Sequence, residues 1–289
     1  MISVIIPYFN RLNKIKKAID SVFNQTYTDW ELILIDDCSL DDTSDITSIL
    51  QGPDLQHVLH IKNEFNKGPG YSRNRGIDSS KGEFLVFLDS DDELKPEFLE
   101  RTQSLISDNY LFVYTMSYYR NGEIYKSSNK KFNDVLPTLL LNNRPWHTSS
   151  MFWNKKFVSR YNESLKNWED YLFEFKSALN LNAIAFVAEP LVVIDEVQFD
   201  SLSDLSEKEE GIIDRIIAID LMMLEMDKLS RKSINNYKLL KRNLRLRFIN
   251  NCLKLNCNNI PELNSSLKEL PQNKTLLKFF RTILYRFWK

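Results

Sequence analysis

The sequence predicts an α/β fold, with a mostly parallel sheet covered by helices on both faces and a C-terminal helical region after it. Three observations carry this. Through the first 115 residues, short continuous apolar runs alternate with segments of helical periodicity. Parallel strands buried on both faces read in that way. From Ser206 onward the pattern is helical. The 289 residues are 43% apolar and 27% charged, the composition of a soluble globular chain large enough to bury a core without disulfides or structural metal.

Residues 2–6 form a continuous β-rich run, and 11–24 place Leu12, Ile15, Ala18, Ile19, Val22 and Phe23 at helical spacing. Residues 31–35 are a second strand, with a polar turn and a helix near 43–50 after it. A short third strand covers 57–61, and a short helix covers 71–80. Residues 84–88 are a fourth strand, and 96–107 a helix opened by Pro96. Beyond that, 110–117 and 123–126 pair as a hairpin around Asn121-Gly122. A helix is expected at 132–142, a strand at 149–153 and a helix at 168–181. Two short strands, 184–188 and 191–194, flank Pro190. The expected division is a domain over 1–205, with halves 1–115 and 116–205, then a helical region over 206–289.

The first residues carry no basic leader, and Pro7 ends their apolar run, so no export signal is expected. No run reaches about 18 apolar residues, so no membrane-spanning helix is expected. Cys38, Cys252 and Cys257 lack disulfide or zinc spacing and read as reduced thiols of a cytoplasmic protein. The formal charge of −1 conceals an asymmetry. Residues 231–289 hold 14 Lys/Arg against two acids, a net of +12, and 1–230 are correspondingly acidic.

In an open parallel sheet, ligands bind at the carboxyl ends of the strands. Here the first strand ends in Pro7-Tyr8-Phe9-Asn10, the second in Asp36-Asp37-Cys38-Ser39, and the fourth in Asp89-Ser90-Asp91-Asp92. Carboxylates gathered on adjacent strand ends repel unless a cation offsets them, and oxygen ligands select Mg²⁺ or Mn²⁺. Such ions are commonly shared with phosphates, which points to a nucleoside diphosphate. Between these clusters, Gly68, Gly70 and Gly76 frame Arg73 and Arg75 without the spacing of a dinucleotide fold or a P-loop. Trp168-Glu169-Asp170 opens a later helix, where acids also complement the helix dipole. His57 and His60 lie in a strand pattern and read as structural.

Four motifs occur in order: Val4-Ile-Ile-Pro-Tyr-Phe-Asn10, Asp36-Asp-Cys-Ser-Leu-Asp-Asp-Thr43, Gly70-Tyr-Ser-Arg-Asn-Arg-Gly76 and Phe87-Leu-Asp-Ser-Asp-Asp92. Together they resemble glycosyltransferase family 2, of the Rossmann-like GT-A fold, closely over 1–115 and more loosely to about 203. The resemblance implies an inverting, metal-dependent transfer of a sugar from a nucleotide-diphosphate donor, a UDP-sugar, to a glycan or lipid-linked acceptor in surface-polysaccharide or lipopolysaccharide synthesis. It implies that Pro7, Tyr8 and Asn10 line the base pocket and that Asp37 accepts a hydrogen bond from uracil. Arg73 would lie near the base or diphosphate, Asp89 and Ser90 near ribose and metal, and Asp91 on Mn²⁺ or Mg²⁺. Asp170 would be the base, Glu169 would position the acceptor, and Trp146 or His147 would contact it. One departure stands out: where the family carries Arg and His after its last short strand, this chain has Glu196 and Gln198.

Two other readings follow from the residues. The altered 195–198 stretch suits a non-catalytic sugar-nucleotide-binding or scaffold protein. A sugar-phosphate nucleotidyltransferase would carry a Gly-rich loop after the first strand, where Pro7-Tyr8-Phe9-Asn10 stands. Residues 274–289 mix five cations with aromatic and aliphatic groups, as a helix lying on an anionic membrane surface does. On a membrane, the tail would hold the chain peripherally at the cytoplasmic face; the alternative is a C-terminal helix packed on the body, its cations paired with the acidic surface. Nucleic acid is a poorer partner, given the acidic body.

Overall fold

A computed structural model describes residues 1–40, 46, 50, 56–124, 131–141, 144–195, 209–228 and 237–254. The chain opens β1 (Ile2–Tyr8), α1 (Leu12–Phe23), β2 (Trp30–Asp36), β3 (Val58–Lys62), α2 (Pro69–Ser79) and β4 (Phe84–Phe87). It continues through β5 (Glu93–Leu94), α3 (Phe98–Gln103), β6 (Phe112–Tyr119), α4 (Val135–Leu141), β7 (Met151–Asn154), α5 (Glu169–Ala178) and β8 (Ile184–Ile194). Two long helices follow, α6 (Glu209–Lys228) and α7 (Tyr237–Lys254).

The eight strands form one sheet in the order β3-β2-β1-β4-β7-β6-β8-β5. β1 pairs in parallel with both β2 and β4, and β2 with β3. β7 is antiparallel to β4 and β6, and β8 runs parallel to β6. The chain winds outward from β1 to β3, then returns to the other side of β1 as β4. This reversal opens a crevice at the carboxyl ends of β1 and β4.

The continuous apolar strands bury both faces, as their sequence requires. Val4 and Ile6 of β1 pack with Ile15, Ala18 and Ile19 of α1 on one face. Ile5 packs with Ile33, Phe87 and the helices α2, α4 and α5 on the other. Ala218, Ile219, Met222, Leu240 and Leu244 of α6 and α7 belong to that same second core. The helical region is thus packed onto the sheet's helical layer.

Several expected elements have different limits, for physical reasons. The helix opened by Pro96 begins only at Phe98; the Pro96 carbonyl accepts from the Thr26 amide, and the Lys95 carbonyl is shared between Gln25 Nε2 and the Phe98 amide. The helix expected from 132 begins at Val135, where Asn182 accepts the amides of Val135 and Leu136. The two strands around Pro190 are one strand, β8, whose register shifts opposite Met116, where proline has no N–H to give. The Asn121-Gly122 turn forms, with Gly122 at φ 93° and Tyr118 bridging Ile124, but β6 has β7 and β8 as its main partners. The helix near 43–50, the 196–203 stretch, Cys257 and the 274–289 tail lie outside the described residues. No helix among the described residues is long and apolar enough to cross a membrane.

Gly76 shows how closely α2 lies on β1. A Cβ there would fall 2.3 Å from Ile5 Cγ2. Gly76→Ala is expected to lower stability by roughly 1–3 kcal/mol despite alanine's better helix propensity, measured as a reduced denaturation midpoint.

Candidate active site

The site gathers where the strand ends meet α2, α5 and the 144–150 segment. The β1 end is shaped by a left-handed turn at Asn10, φ 50°. Its amide donates to Ser39 Oγ (2.9 Å) and its Oδ1 accepts from the Leu40 amide (2.8 Å). These bonds lace the β1 and β2 ends together. Pro7 and Tyr8 are buried in β1, and the Tyr8 hydroxyl lies 2.9 Å from His60 Nε2, with the rings stacked. His60 thus serves a structural pairing.

Asp37 is buried and organises the loop before α2. Its carboxylate accepts from Asn63 Nδ2 (2.7 Å), the Lys67 amide (3.1 Å) and the Gly68 amide (2.7 Å). Gly68 takes φ 86°, a conformation that glycine adopts readily. So Asp37 sets the entry of the helix that carries Arg73.

Asp89, Ser90, Asp91 and Asp92 form the turn after β4. Asp89 and Asp91 each face an arginine, and Asp92 faces His147, each from a different element. Arg73 Nη2 donates to Asp89 Oδ1 at 2.8 Å. Arg11, at the start of α1, is paired with Asp91. His147 Nδ1 lies 3.2 Å from Asp92 Oδ2. Asp92 also accepts from Ser149 Oγ and the Asp195 amide, while the Asp89 amide donates to Ser149 Oγ. Burial and the neighbouring charges of Asp92 and Asp89 raise the Asp91 pKa, with Arg11 opposing them. For His147, burial works against the charged ring, but Asp92 outweighs it and the pKa is raised.

Arg73 carries this cluster across to α5. Its guanidinium is buried, 5.3 Å from the Tyr161 ring centroid, and its Nη1 donates to Glu169 Oε1 at 3.1 Å. Trp168, in the left-handed region at φ 64°, turns the chain into α5 and stacks on Tyr171. Arg215 of α6 covers the Trp168 ring, so the helical region supports this turn. A non-glycine residue so placed costs roughly 1–3 kcal/mol and is typical of functional sites.

The α5 carboxylates are separated by their surroundings. Burial and the Asp170 charge hold the Glu169 pKa well above the usual carboxylate value. Burial also works to raise Asp170, but Arg144 and Arg73 overcome it and leave its pKa lowered. Arg144 is shared between Asp170 and Glu174, whose Oε1 it meets at 2.8 Å. Glu174 is fully buried, accepts from Trp146 Nε1 at 2.9 Å, and its pKa is raised by burial to about 7.

Most of the sequence-derived residues converge; Trp146 and Asp91 depart from expectation. Trp146 is completely buried against Phe112 and Tyr114 and has no surface to offer an acceptor. Its neighbour His147 does face the acidic turn. Asp89, Asp92 and His147 present ligand atoms all within 4.8 Å of one another; Asp91, the expected ligand, is paired with Arg11 and is not in that set. An oxygen-rich set with one imidazole fits a hard divalent cation. Sequence reasoning passed over Arg11, Arg144, Ser149 and Glu174 as site residues. Glu174 had one legible signal, an acid one helical turn beyond Asp170 on the same face.

Removing Glu174 leaves Arg144 and Trp146 short of a buried partner. Glu174→Ala is expected to lower stability by roughly 3 kcal/mol in denaturant titrations, and Glu174→Gln by less. The folded pKa lies above the unfolded value, so the native chain holds a proton that the unfolded chain releases. Relative to Glu174→Gln, wild-type stability should therefore fall as pH rises from the unfolded carboxylate range through about 7.

Comparison with known proteins bears on the family and the fold. The GalNAc(5)-diNAcBac-PP-undecaprenol beta-1,3-glucosyltransferase of Campylobacter jejuni is 38% identical over 113 residues, 39% of this chain and 37% of that protein. The chain spans 17–45% of the length of the curated relatives among the first matched. The crystal structure of S. aureus TarS 1–349 in complex with UDP-GlcNAc aligns with a TM-score of 0.69 at 21% identity, covering 90% of this chain and 76% of that one. The mannosyltransferase PcManGT from Pyrobaculum calidifontis, in complex with GDP-Man and Mn²⁺, aligns with a TM-score of 0.60 at 14% identity, covering 99% and 84%. These likenesses establish the GT-A-like α/β fold. The profile of the family described as Glycosyl transferase family 2 matches residues 3–168, more than half of the sequence, and the chain belongs to that family.

Proposed function

We propose that this chain is an inverting, metal-dependent glycosyltransferase. It transfers a sugar from a UDP-sugar to a hydroxyl of a glycan or lipid-linked acceptor in bacterial surface-polysaccharide synthesis. The observation that carries the reading is the acidic turn after β4, joined through Arg73 to the Glu169–Asp170 pair. One side suits a cation and a diphosphate, and the other suits a proton acceptor. UDP-GlcNAc in TarS supports the donor class, and the undecaprenol-linked substrate in the Campylobacter enzyme's name supports the acceptor class.

In this reading Pro7, Tyr8, Asn10 and Asp37 wall the nucleoside, with Arg73 at its inner edge. Asp91 and Asp89, with Asp92 and His147 alongside, hold Mn²⁺ or Mg²⁺. When bound, the cation stabilises negative charge on the departing diphosphate. Asp170 takes the proton of the acceptor hydroxyl. Its lowered pKa keeps it ionised, and its side chain is more exposed than that of Glu169. Glu169 positions Arg73. The basic 274–289 segment holds the protein at the cytoplasmic face of an anionic membrane, beside a lipid-linked acceptor.

Asp91→Ala should retain the fold and lose the Mn²⁺-dependent rise in melting temperature that UDP produces; an undiminished rise contradicts the metal assignment. Asp170→Asn should bind UDP-sugar normally while kcat falls by roughly 10²–10⁴-fold. With Asp170 as base, kcat/KM should hold down to about pH 5, below the range where an unperturbed His titrates. A decline centred nearer neutrality would contradict the assignment of Asp170 as base.

A further inference from the structure

We propose that Arg11 is an internal stand-in for the divalent cation: it neutralises Asp91 in the donor-free protein and must be displaced for the ion to bind. The inference rests on the metal-and-nucleotide reading given above.

The three acids of the β4 turn are matched one to one by Arg73, Arg11 and His147. Two of these partners are built in. Arg73 is held by Glu169 and by the Tyr161 ring. His147 begins the Thr148–Ser150 turn, where its amide donates to Ser150 Oγ and its carbonyl accepts from the Ser150 hydroxyl. Arg11 differs in its access to solvent: its side chain is 30% exposed, against 7% for Arg73 and 19% for His147.

Arg11 also occupies a position that helix formation does not favour. It is the N-cap of α1 and makes no side-chain capping bond. Ser, Thr, Asp or Asn suit that position, and a cation there opposes the helix dipole. Lys14, one turn later, repeats the pattern and pairs with Asp195 at 3.0 Å. Both cations at this unfavourable helix end face acids from the far side of the crevice. The local cost is offset by neutralising those acids. The Asn10 turn, stapled to Ser39 and Leu40, fixes the direction in which Arg11 leaves the backbone.

A divalent ion on the Asp91 carboxylate would compete with the guanidinium for the same oxygen. A nucleoside diphosphate arriving with the ion supplies the displaced Arg11 with a new anion. Arg11 therefore weakens metal binding in the absence of nucleotide and ties the ion's arrival to the donor's.

The test is direct titration of Mn²⁺, with free ion read by electron paramagnetic resonance, on the full chain with and without UDP. Wild type, Arg11→Gln, Arg11→Lys and Asp91→Asn are compared, with folding checked by melting temperature. Arg11→Gln is expected to bind Mn²⁺ roughly fivefold more tightly without UDP, the scale of one partly exposed ion pair. Arg11→Lys should stay near wild type, and Asp91→Asn should bind weakly in either state. Unchanged or weaker Mn²⁺ binding by folded Arg11→Gln overturns the role of Arg11 and leaves the metal reading standing. A lower melting temperature with unchanged Mn²⁺ binding likewise overturns that role and assigns Arg11 to docking α1. No Mn²⁺ binding by any variant, with or without UDP, overturns the metal reading and this inference with it.

Discussion

Charge compensation at the carboxyl end of β4 is the constraint on which the rest of the site depends. Three carboxylates within four residues cannot remain ionised near a buried strand end without cations close by. The chain meets this by drawing Arg11 from the start of α1, Arg73 from α2 and His147 from the segment before β7. Each pairing also fixes an element in place. The α2 helix is held against the β4 turn, the 144–150 segment is pinned through Asp92 and Ser149, and Asp195 is drawn in through its amide. In the proposed reading, cation and donor recognition and the placement of the surrounding elements draw on the same interactions.

A second charge ladder runs from this turn into α5. Arg73 links Asp89 to Glu169, and Arg144 links Asp170 to Glu174. The two adjacent α5 acids are driven apart in proton affinity: burial and the Asp170 charge raise Glu169, while Arg144 and Arg73 together lower Asp170. Environments that separate neighbouring carboxylates in this way are the ones that enzymes use to divide proton-transfer and positioning roles. The αL conformation of Trp168, supported by Tyr171 and Arg215, turns the chain into α5 directly before both acids. Through Arg215, the helical region contributes to the geometry of the site and not only to the core.

The parts of this fold legible in the sequence were those governed by local pattern. β1, β2 and β4 announce themselves as continuous apolar runs because both faces are buried, and α1 by its apolar stripe. The acids at the ends of β2 and β4 stood out because carboxylates directly after such strands need partners. Less legible was whatever depended on distant contacts. The α3 start lies later than the pattern suggests, and there the Lys95 and Pro96 carbonyls accept from Gln25 and Thr26, some 70 residues away. Pro190 suggested a break, yet a register shift against β6 lets β8 pass through it. Trp146 looked available to an acceptor, but Glu174 and the aromatic core claim it. Arg11 and Arg144 are silent because a lone charged residue in a loop or at a helix end reads as solvated surface until the fold brings its partner near.

The central claim is that the acidic β4 turn holds a divalent cation together with the donor diphosphate. A crystal structure of the chain grown with UDP and Mn²⁺, with data collected at the manganese absorption edge, tests it most directly. The account predicts one anomalous peak beside Asp91, within reach of Asp89 or His147 and of the diphosphate oxygens. UDP bound in the β1–β4 crevice with no peak in that turn, or a peak coordinated elsewhere, would contradict it.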